Sequence, residues 1–176
     1  MWSPLTRLPM LNETIAQTQA FATTLIRDGM RIALVHSITG IARHHLLDLR
    51  KSIHGDDAPM QGRMPNDTMA YIKSGQSTVA LATVVAVYVG AEKKHKSPVE
   101  AFMDAWAVAK LFADGATPLD INAAWYAVRD VKAGLITWAY CKNCKAGYLL
   151  DTKQTKKTDI CPYCGAQKQK QIEVAQ

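Results

Sequence analysis

The chain has 176 residues, of which 48% are hydrophobic and 20% are charged, with a formal net charge of +6. That balance is typical of a globular protein with a buried core, and it excludes an intrinsically disordered chain. The most apolar run, residues 79–89, is shorter than the roughly 20 residues that a membrane-spanning helix needs, so no membrane contact is expected.

The N-terminal third of the sequence predicts an arm followed by helices. Residues 1–11 contain two prolines and are expected to form a flexible arm. Asn12 can cap the first helix, because its side chain can accept a hydrogen bond from a backbone amide of the first turn. After a break near Gly29, the patterns at 30–36 and 41–53 predict two further helices, which are joined by a short turn.

The helix pair between residues 30 and 54 has the dimensions of a helix-turn-helix, a common DNA-binding motif. Thr39 could serve as the N-cap of the second helix and also reach a phosphate. Four polar or basic side chains lie away from the apolar face of that helix and are candidate DNA contacts, namely Arg43, His44, Arg50 and Lys51. The alternative is a helical hairpin of the core with solvated basic residues, since many hairpins match this pattern.

Four more helical segments are predicted before residue 137. Asn66 or Asp67 can cap the first of them, and the second spans residues 77–91. Pro98 stands at the first position of the third helix, and Pro118 stands at the same position of the fourth. Proline suits this position because the first amides of a helix have no partner within the helix.

These patterns predict a mainly α fold in two parts. The last helix is expected to stop at Gly134, after which lysines, glycines and paired cysteines replace the amphipathic pattern. We therefore predict a helical domain over residues 12–136 for assembly and DNA binding. A small C-terminal zinc ribbon with a basic tail is predicted over residues 137–176.

All four cysteines of the chain lie in this C-terminal part. They form two Cys-x-x-Cys pairs that sixteen residues separate, and their positions are Cys141, Cys144, Cys161 and Cys164. Two residues between ligands let one tight turn direct both sulfurs at a single ion, and four thiolates complete a tetrahedral shell. The pattern predicts one structural Zn²⁺. Gly147 and Gly165 follow the turns, where backbone amides need room to approach the sulfurs.

Three other uses of these cysteines compete with zinc. Two disulfides would require an oxidising compartment, whereas the N-terminus carries no apolar secretory segment and a cytoplasmic location is expected. A rubredoxin-type iron site uses similar turns but is normally a free-standing electron carrier. A redox pair would leave the second Cys-x-x-Cys unexplained. Four bound thiolates leave no open coordination position, and common catalytic motifs are missing from the sequence, so no enzymatic activity is expected.

Positive charge is concentrated at this end of the chain. Over residues 141–176 seven lysines stand against three acidic residues, which gives +4 of the total of +6. A basic surface of this kind favours a polyanionic partner, most simply nucleic acid, although a solvated tail would carry the same charge. The candidate phosphate contacts here are Lys142, Lys145, Lys153, Lys156 and Lys157.

Several stretches of the sequence resemble one known family. The most specific is the run Asn-Ala-Ala-Trp-Tyr-Ala-Val-Arg-Asp-Val-Lys-Ala-Gly-Leu-Ile at 122–136, which leads into the first cysteine pair. Two earlier segments occur in the same order as in this family: the run Ile-Ala-Arg-His-His-Leu-Leu-Asp-Leu-Arg-Lys at 41–51 and the Gly-Arg-Met-Pro loop at 62–65. Over roughly residues 20–165 the chain resembles FlhC, the flagellar master-regulator subunit.

The resemblance implies a mostly helical transcription activator whose zinc ligands are the four cysteines. It also implies a hetero-oligomer with FlhD-like subunits that binds double-stranded promoter DNA and recruits RNA polymerase. The long N-terminal arm, the lysine-rich segment between the cysteine pairs and the lack of aromatic residues after Pro65 depart from flagellar members. The regulated genes are therefore expected to be flagellar or, as for divergent members on conjugative elements, conjugative-transfer genes. The alternative is a zinc-ribbon module that binds another protein and makes no direct contact with DNA.

Overall fold

A computed structural model describes residues 8–55, 65–72, 75–94, 97–112, 119–151 and 160–166, and of residues 8–13 and 112 it describes the backbone alone. The described residues are mainly helical and end in a small strand pair, as predicted. In chain order the elements are α1 Leu8–Arg27, α2 Ile32–Thr39, α3 Arg43–His54, the 3-10 turn Thr68–Tyr71, α4 Gly75–Glu92, α5 Pro98–Phe112, α6 Ile121–Lys132, β1 Thr137–Tyr140 and β2 Gly147–Leu150. Within these ranges, no helix combines the length and the apolar character that a bilayer crossing demands.

The first compact unit is Met1–Gly62, and it contains α1, α2 and α3. Its apolar core is formed by side chains from all three helices and the α1–α2 junction, including Leu25, Ile26, Met30, Val35 and Leu46. The end of α3 contacts the end of α1, where Nε2 of His54 lies 3.0 Å from the carbonyl oxygen of Ile26. The three helices therefore form a small bundle around one core.

Two features of this unit differ from the sequence-based expectations. α1 begins at Leu8, so the helix includes the last residues of the predicted arm, while residues 1–7 lie outside the described residues. The prediction that Thr39 caps the second helix was wrong. Thr39 ends α2, and its hydroxyl donates to the carbonyl oxygen of Val35 at 2.7 Å. α3 starts later, after Ala42, which makes no side-chain capping bond.

The second compact unit is Arg63–Gln176, and α4 is its central helix. α4 contacts α5, α6 and β2, so apolar side chains are buried on several of its sides. Because β2 packs against α4, the ribbon belongs to the same compact unit as these helices. The contacts thus divide the chain between Gly62 and Arg63, whereas the sequence suggested a boundary near residue 137.

Local capping signals explain where the elements of this unit begin. The Asp67 carboxylate accepts from the amide of Ala70 at 2.9 Å and caps the 3-10 turn, and Pro98 begins α5, as predicted. The predicted start of α6 at Pro118 was wrong. α6 begins at Ile121, because the side chain of Asp120 caps it by accepting from the amide of Asn122 at 2.8 Å, and Pro118 lies outside the described residues.

Candidate metal centre

The ribbon is built on an antiparallel hairpin of β1 and β2. Thr137 pairs with Leu150 at one end, and Tyr140 pairs with Gly147 at the other. Residues 141–146 form the loop that joins the strands, and this loop carries the first cysteine pair. Most of β2 is buried, whereas Tyr140 is exposed at the end of β1. The hairpin therefore has a covered strand and an open end.

The two cysteine loops have the same backbone structure. We call residues 141–146 the first knuckle and residues 161–166 the second knuckle. In each knuckle, the backbone amide of the fifth residue donates to the carbonyl oxygen of the first cysteine at 2.9 Å. The backbone amide of that cysteine donates to the carbonyl oxygen of the sixth residue, also at 2.9 Å. The fifth residue is Lys145 in one knuckle and Gly165 in the other, with φ of 62° and 71°. The sequence analysis expected Gly147 and Gly165 to leave room for backbone amides near the sulfurs; Gly165 lies within the second knuckle, whereas Gly147 begins β2.

The four sulfurs converge on one point. All of them lie within 4.8 Å of one another. The sulfurs of Cys141 and Cys164 are 3.7 Å apart, and those of Cys144 and Cys161 are also 3.7 Å apart. A tetrahedral ion with sulfur bonds of about 2.3 Å requires sulfurs about 3.8 Å apart, whereas a disulfide bond is about 2.05 Å long. The thiols are free, and together they can hold one tetrahedral metal ion.

Backbone amides of the knuckles favour the thiolate form at two of the cysteines. The amide of Cys144 lowers the pKa of Cys141, and the amide of Ala166 lowers the pKa of Cys164 to about 6. The amide of Ala146 acts in the same direction on Cys144, but desolvation and the neighbouring thiols outweigh it and raise the pKa of Cys144 to about 11. Hydrogen bonds to sulfur stabilise the charged form that binds a metal, while crowded sulfurs resist ionising together without a cation.

Two residues inside the Cys-x-x-Cys loops connect the knuckles to their surroundings. The Nδ2 atom of Asn143 donates to the sulfur of Cys164 at 3.6 Å, so the first knuckle supports a ligand of the second. Tyr163 in the second knuckle interacts with Thr83 on α4, and partial burial raises the pKa of Tyr163. Sequence reasoning missed both residues, because neither is a ligand and each contact depends on the fold.

The candidate DNA contacts of the first unit lie on α3 and at the end of α2. Arg43, His44 and Lys51 are exposed on α3, and Arg50 is half-buried. Thr39 is half-buried, and its hydroxyl is already bonded within α2. α3 therefore presents most of the predicted basic side chains to solvent.

The candidate contacts of the second unit belong to the ribbon. Lys142 and Lys145 are exposed in the first knuckle, on either side of Asn143 and Cys144. Lys153, Lys156 and Lys157 lie outside the described residues. The knuckle therefore carries two exposed cations next to the candidate metal ligands.

A buried carboxylate joins α6 to the 3-10 turn. One oxygen of Asp130 accepts from the amide and the hydroxyl of Thr68, at 2.9 and 2.7 Å. The other oxygen accepts from Nε and Nη2 of Arg129, at 2.8 and 2.6 Å. The guanidinium of Arg129 also lies 4.2 Å from the ring centroid of Tyr126. This cluster fixes the segment 122–136, which leads directly into β1.

The sequence model of one family matches nearly the whole of this structure. Residues 9–172 match the family described as the flagellar transcriptional activator FlhC, and the match includes the helices of both units and all four cysteines. The chain belongs to the FlhC family. The resemblance seen in the sequence is thus confirmed, and the family is one of transcriptional regulators rather than enzymes.

Relatives with the name flagellar transcriptional regulator FlhC are similar to this chain over most of its length. The protein of Gallionella capsiferriformans strain ES-2 is 28% identical over 157 residues, which cover 85% of this chain and 84% of the relative. The Burkholderia lata protein is 26% identical over 161 residues, or 85% of this chain and 71% of the relative. The Erwinia tasmaniensis protein is 24% identical over 151 residues, or 81% and 82%. This FlhC-family chain therefore aligns with the larger part of each relative.

Proposed function

We propose that this chain is the DNA-binding subunit of a transcription activator that acts at promoters of flagellar or conjugative-transfer genes. It works in a hetero-oligomer with an FlhD-like partner, and the complex recruits RNA polymerase. The observation that carries the proposal is the family match over residues 9–172, because it takes in the helices and the ribbon together. The net charge of +6 supports contact with a polyanion, since lysines and arginines that neutralise phosphates supply much of the affinity for DNA.

The proposed metal is one structural Zn²⁺ in the cysteine tetrad. Four thiolates at tetrahedral spacing suit zinc, and a closed shell of four protein ligands leaves no position for a substrate. A hairpin of two four-residue strands is too small to be stable by itself in water. Zinc would therefore supply binding free energy that orders the ribbon and keeps both knuckles in place.

The proposed DNA contacts come from α3 and the ribbon. Arg43 and Lys51 are exposed on α3, and Lys142 and Lys145 are exposed in the first knuckle. Lysines and arginines at phosphates give affinity and orientation, whereas sequence preference needs contacts with base edges or bending of the duplex. α3, the ribbon or DNA bending would then provide the preference for a particular operator.

The proposal can be tested by a gel-shift titration with genomic fragments. The chain is purified alone and also co-expressed with the FlhD-like gene product of the same genome, and both are titrated at two salt concentrations. We expect selective, salt-sensitive binding that requires the partner. If the complex with one equivalent of zinc binds no fragment, the DNA-binding proposal fails, and a protein-interaction module becomes the better description.

Charge-reversal variants identify the surface that contacts the DNA. Changing Lys153, Lys156 and Lys157 to Glu should weaken binding and reduce its salt dependence. The matched control changes Lys93 and Lys94, which are exposed in the turn after α4, to Glu. Equal binding by the triple variant and the wild type would exclude these lysines as phosphate contacts.

A further inference from the structure

The two knuckles share one backbone structure but differ in what surrounds them. Tyr163 of the second knuckle interacts with Thr83 on α4 and is 43% exposed. The first knuckle instead presents Lys142 and Lys145 to solvent. Over residues 137–151 and 160–166, the acidic residue of the ribbon is Asp151, which is buried. The exposed charged side chains of the described tip are thus the two lysines, which offset the negative charge that four thiolates would keep with Zn²⁺ bound and can each contact a phosphate.

The conformation of Lys145 indicates that its side chain has a use at this tip. Its φ of 62° lies in the left-handed region, where the second knuckle has Gly165. That region disfavours residues with a Cβ, and glycine adopts it readily. Lys145 is exposed, so packing does not explain why a lysine occupies the position. Strain that is kept at an exposed position points to a functional side chain.

An exposed aromatic side chain stands at the base of the same knuckle. Tyr140 directly precedes the knuckle and is 59% exposed. Its ring meets the Trp138 ring edge-on, with centroids 6.2 Å apart and an interplanar angle of 82°. Its cross-strand partner, Gly147, has no side chain that could cover it. Tyr140 is thus supported by Trp138 and open to solvent beside the two lysines of the loop.

We propose that Tyr140, Lys142 and Lys145 form a contact with duplex DNA at the tip of the hairpin. The lysines bind phosphates, and the tyrosine ring packs against the sugars and base edges of the adjacent groove. The inference rests on the proposed DNA-binding function and adds an aromatic contact to it. A ring in a groove provides apolar contact with base steps and does not depend on counterion release, in contrast to the lysine–phosphate contacts.

The experiment measures the fluorescence anisotropy of a fluorescein-labelled duplex of mixed sequence with the full chain in complex with its partner. Binding of wild type, Tyr140→Ala, Tyr140→Phe and the Lys142→Ala/Lys145→Ala double variant is followed from about 50 to 200 mM salt. Leu111→Ala is the matched control, because Leu111 is an 83% exposed apolar residue on α5.

We expect Tyr140→Ala to weaken binding about tenfold, because apolar contact with base steps in the groove is lost, and we expect an unchanged salt slope. Tyr140→Phe and Leu111→Ala should bind like the wild type. The double lysine variant should lower the slope of log K against log salt by about 1.8, since each phosphate contact contributes about 0.9. Wild-type affinity of Tyr140→Ala, together with a lowered slope for the lysine variant, would reject the aromatic contact and leave the DNA-binding function in place. If the wild-type complex itself fails to bind, the proposed function falls.

A second measurement does not depend on the folding of Tyr140→Ala. A photo-reactive benzoylphenylalanine replaces Tyr140, and the zinc content of the complex is checked before irradiation. A crosslink from position 140 to the duplex supports the contact. A crosslink to protein alone, or tighter binding to a single strand than to the duplex, would overturn it.

Discussion

The ring of Trp138 occupies the space in which a side chain at Gly147 would lie. A Cβ atom built on Gly147 would be 2.1 Å from Cζ2 of Trp138. The two residues are diagonal neighbours on one face of the hairpin, because Trp138 pairs with Leu149 and Tyr140 pairs with Gly147. The packing of this face therefore depends on the absence of a side chain at residue 147.

We predict that Gly147→Ala destabilises the ribbon. The new methyl group must displace the Trp138 ring or the strand, and overpacking of this kind costs about 1–3 kcal/mol. Urea denaturation at saturating zinc measures the change in the free energy of unfolding. The control is Gly90→Ala in α4, where a Cβ meets nothing within 4 Å, and we expect it to be stabilising by about 0.5–1 kcal/mol. Equal stability of Gly147→Ala and the wild type would show that the ring moves aside freely.

Replacement of Lys145 by glycine is predicted to stabilise the protein and weaken DNA binding. The left-handed conformation destabilises an ordinary residue in the folded protein by about 1–2 kcal/mol, and glycine avoids this cost. Glycine also loses more conformational entropy on folding, which offsets about 0.5–1 kcal/mol of that gain. A net gain of about 0.5–1 kcal/mol should appear in the same denaturation experiment. The reverse change, Gly165→Lys, should be destabilising. A Lys145→Gly variant less stable than the wild type would contradict the strain at this position.

We predict that Asp130→Asn, which replaces the buried carboxylate by an amide, lowers the free energy of unfolding. Both of its oxygens accept hydrogen bonds, from Thr68 and from Arg129. An amide group in Asp130→Asn would place a donor against one of these donors and remove the charge, so we expect a loss of about 3 kcal/mol. Thermal and urea unfolding would report it. Asp48→Asn is the control because Asp48 is exposed on α3, and it should change stability by less than about 0.5 kcal/mol. A similarly small effect at Asp130 would mean that the cluster does not hold the 3-10 turn.

Chelation is predicted to release one equivalent of zinc and to disorder the hairpin while most helical structure remains. The ribbon should lose its order if it depends on zinc as proposed, whereas α4, α5 and α6 share an apolar core that includes Val84, Phe102 and Ala127. A zinc-sensitive dye gives the stoichiometry, hydrogen exchange reports the hairpin amides, and circular dichroism reports the helices. Re-addition of zinc should restore protection from exchange. Visible absorbance bands of iron, or a protein that has no free thiols after chelation, would contradict a zinc–thiolate centre.

Local signals in the sequence predicted the local features of the structure. Asp67 and Pro98 mark helix starts because capping and the fixed φ of proline act within one turn. Gly134, with φ of 68°, follows the end of α6 as expected. The spacing of the cysteines predicted their convergence, since a short turn brings each pair together and the sixteen residues between the pairs are long enough for a hairpin that brings the second turn across.

The features that sequence reasoning missed depend on contacts between residues far apart in the chain, or on which of two possible capping residues begins a helix. Thr68 and Asp130 are 62 positions apart, and no periodicity of either segment indicates that they meet. Asp120 competes with the proline signal before it and begins α6 at Ile121. Thr39 has the chemistry of an N-cap, but its hydroxyl finds an acceptor in the preceding turn first. The packing of β2 on α4 likewise has no local signature.

The burial of β2 against α4 limits how this protein can change during evolution. A zinc ribbon on a free linker can be exchanged between proteins as a cassette, since its removal leaves the remaining domain intact. Here Tyr148 and Leu150 are buried in a unit whose central helix is α4. Deletion of the ribbon, which follows α6, would expose part of the apolar surface of α4 to water. Substitutions at the contact between α4 and β2 are therefore expected to affect the helices and the ribbon together.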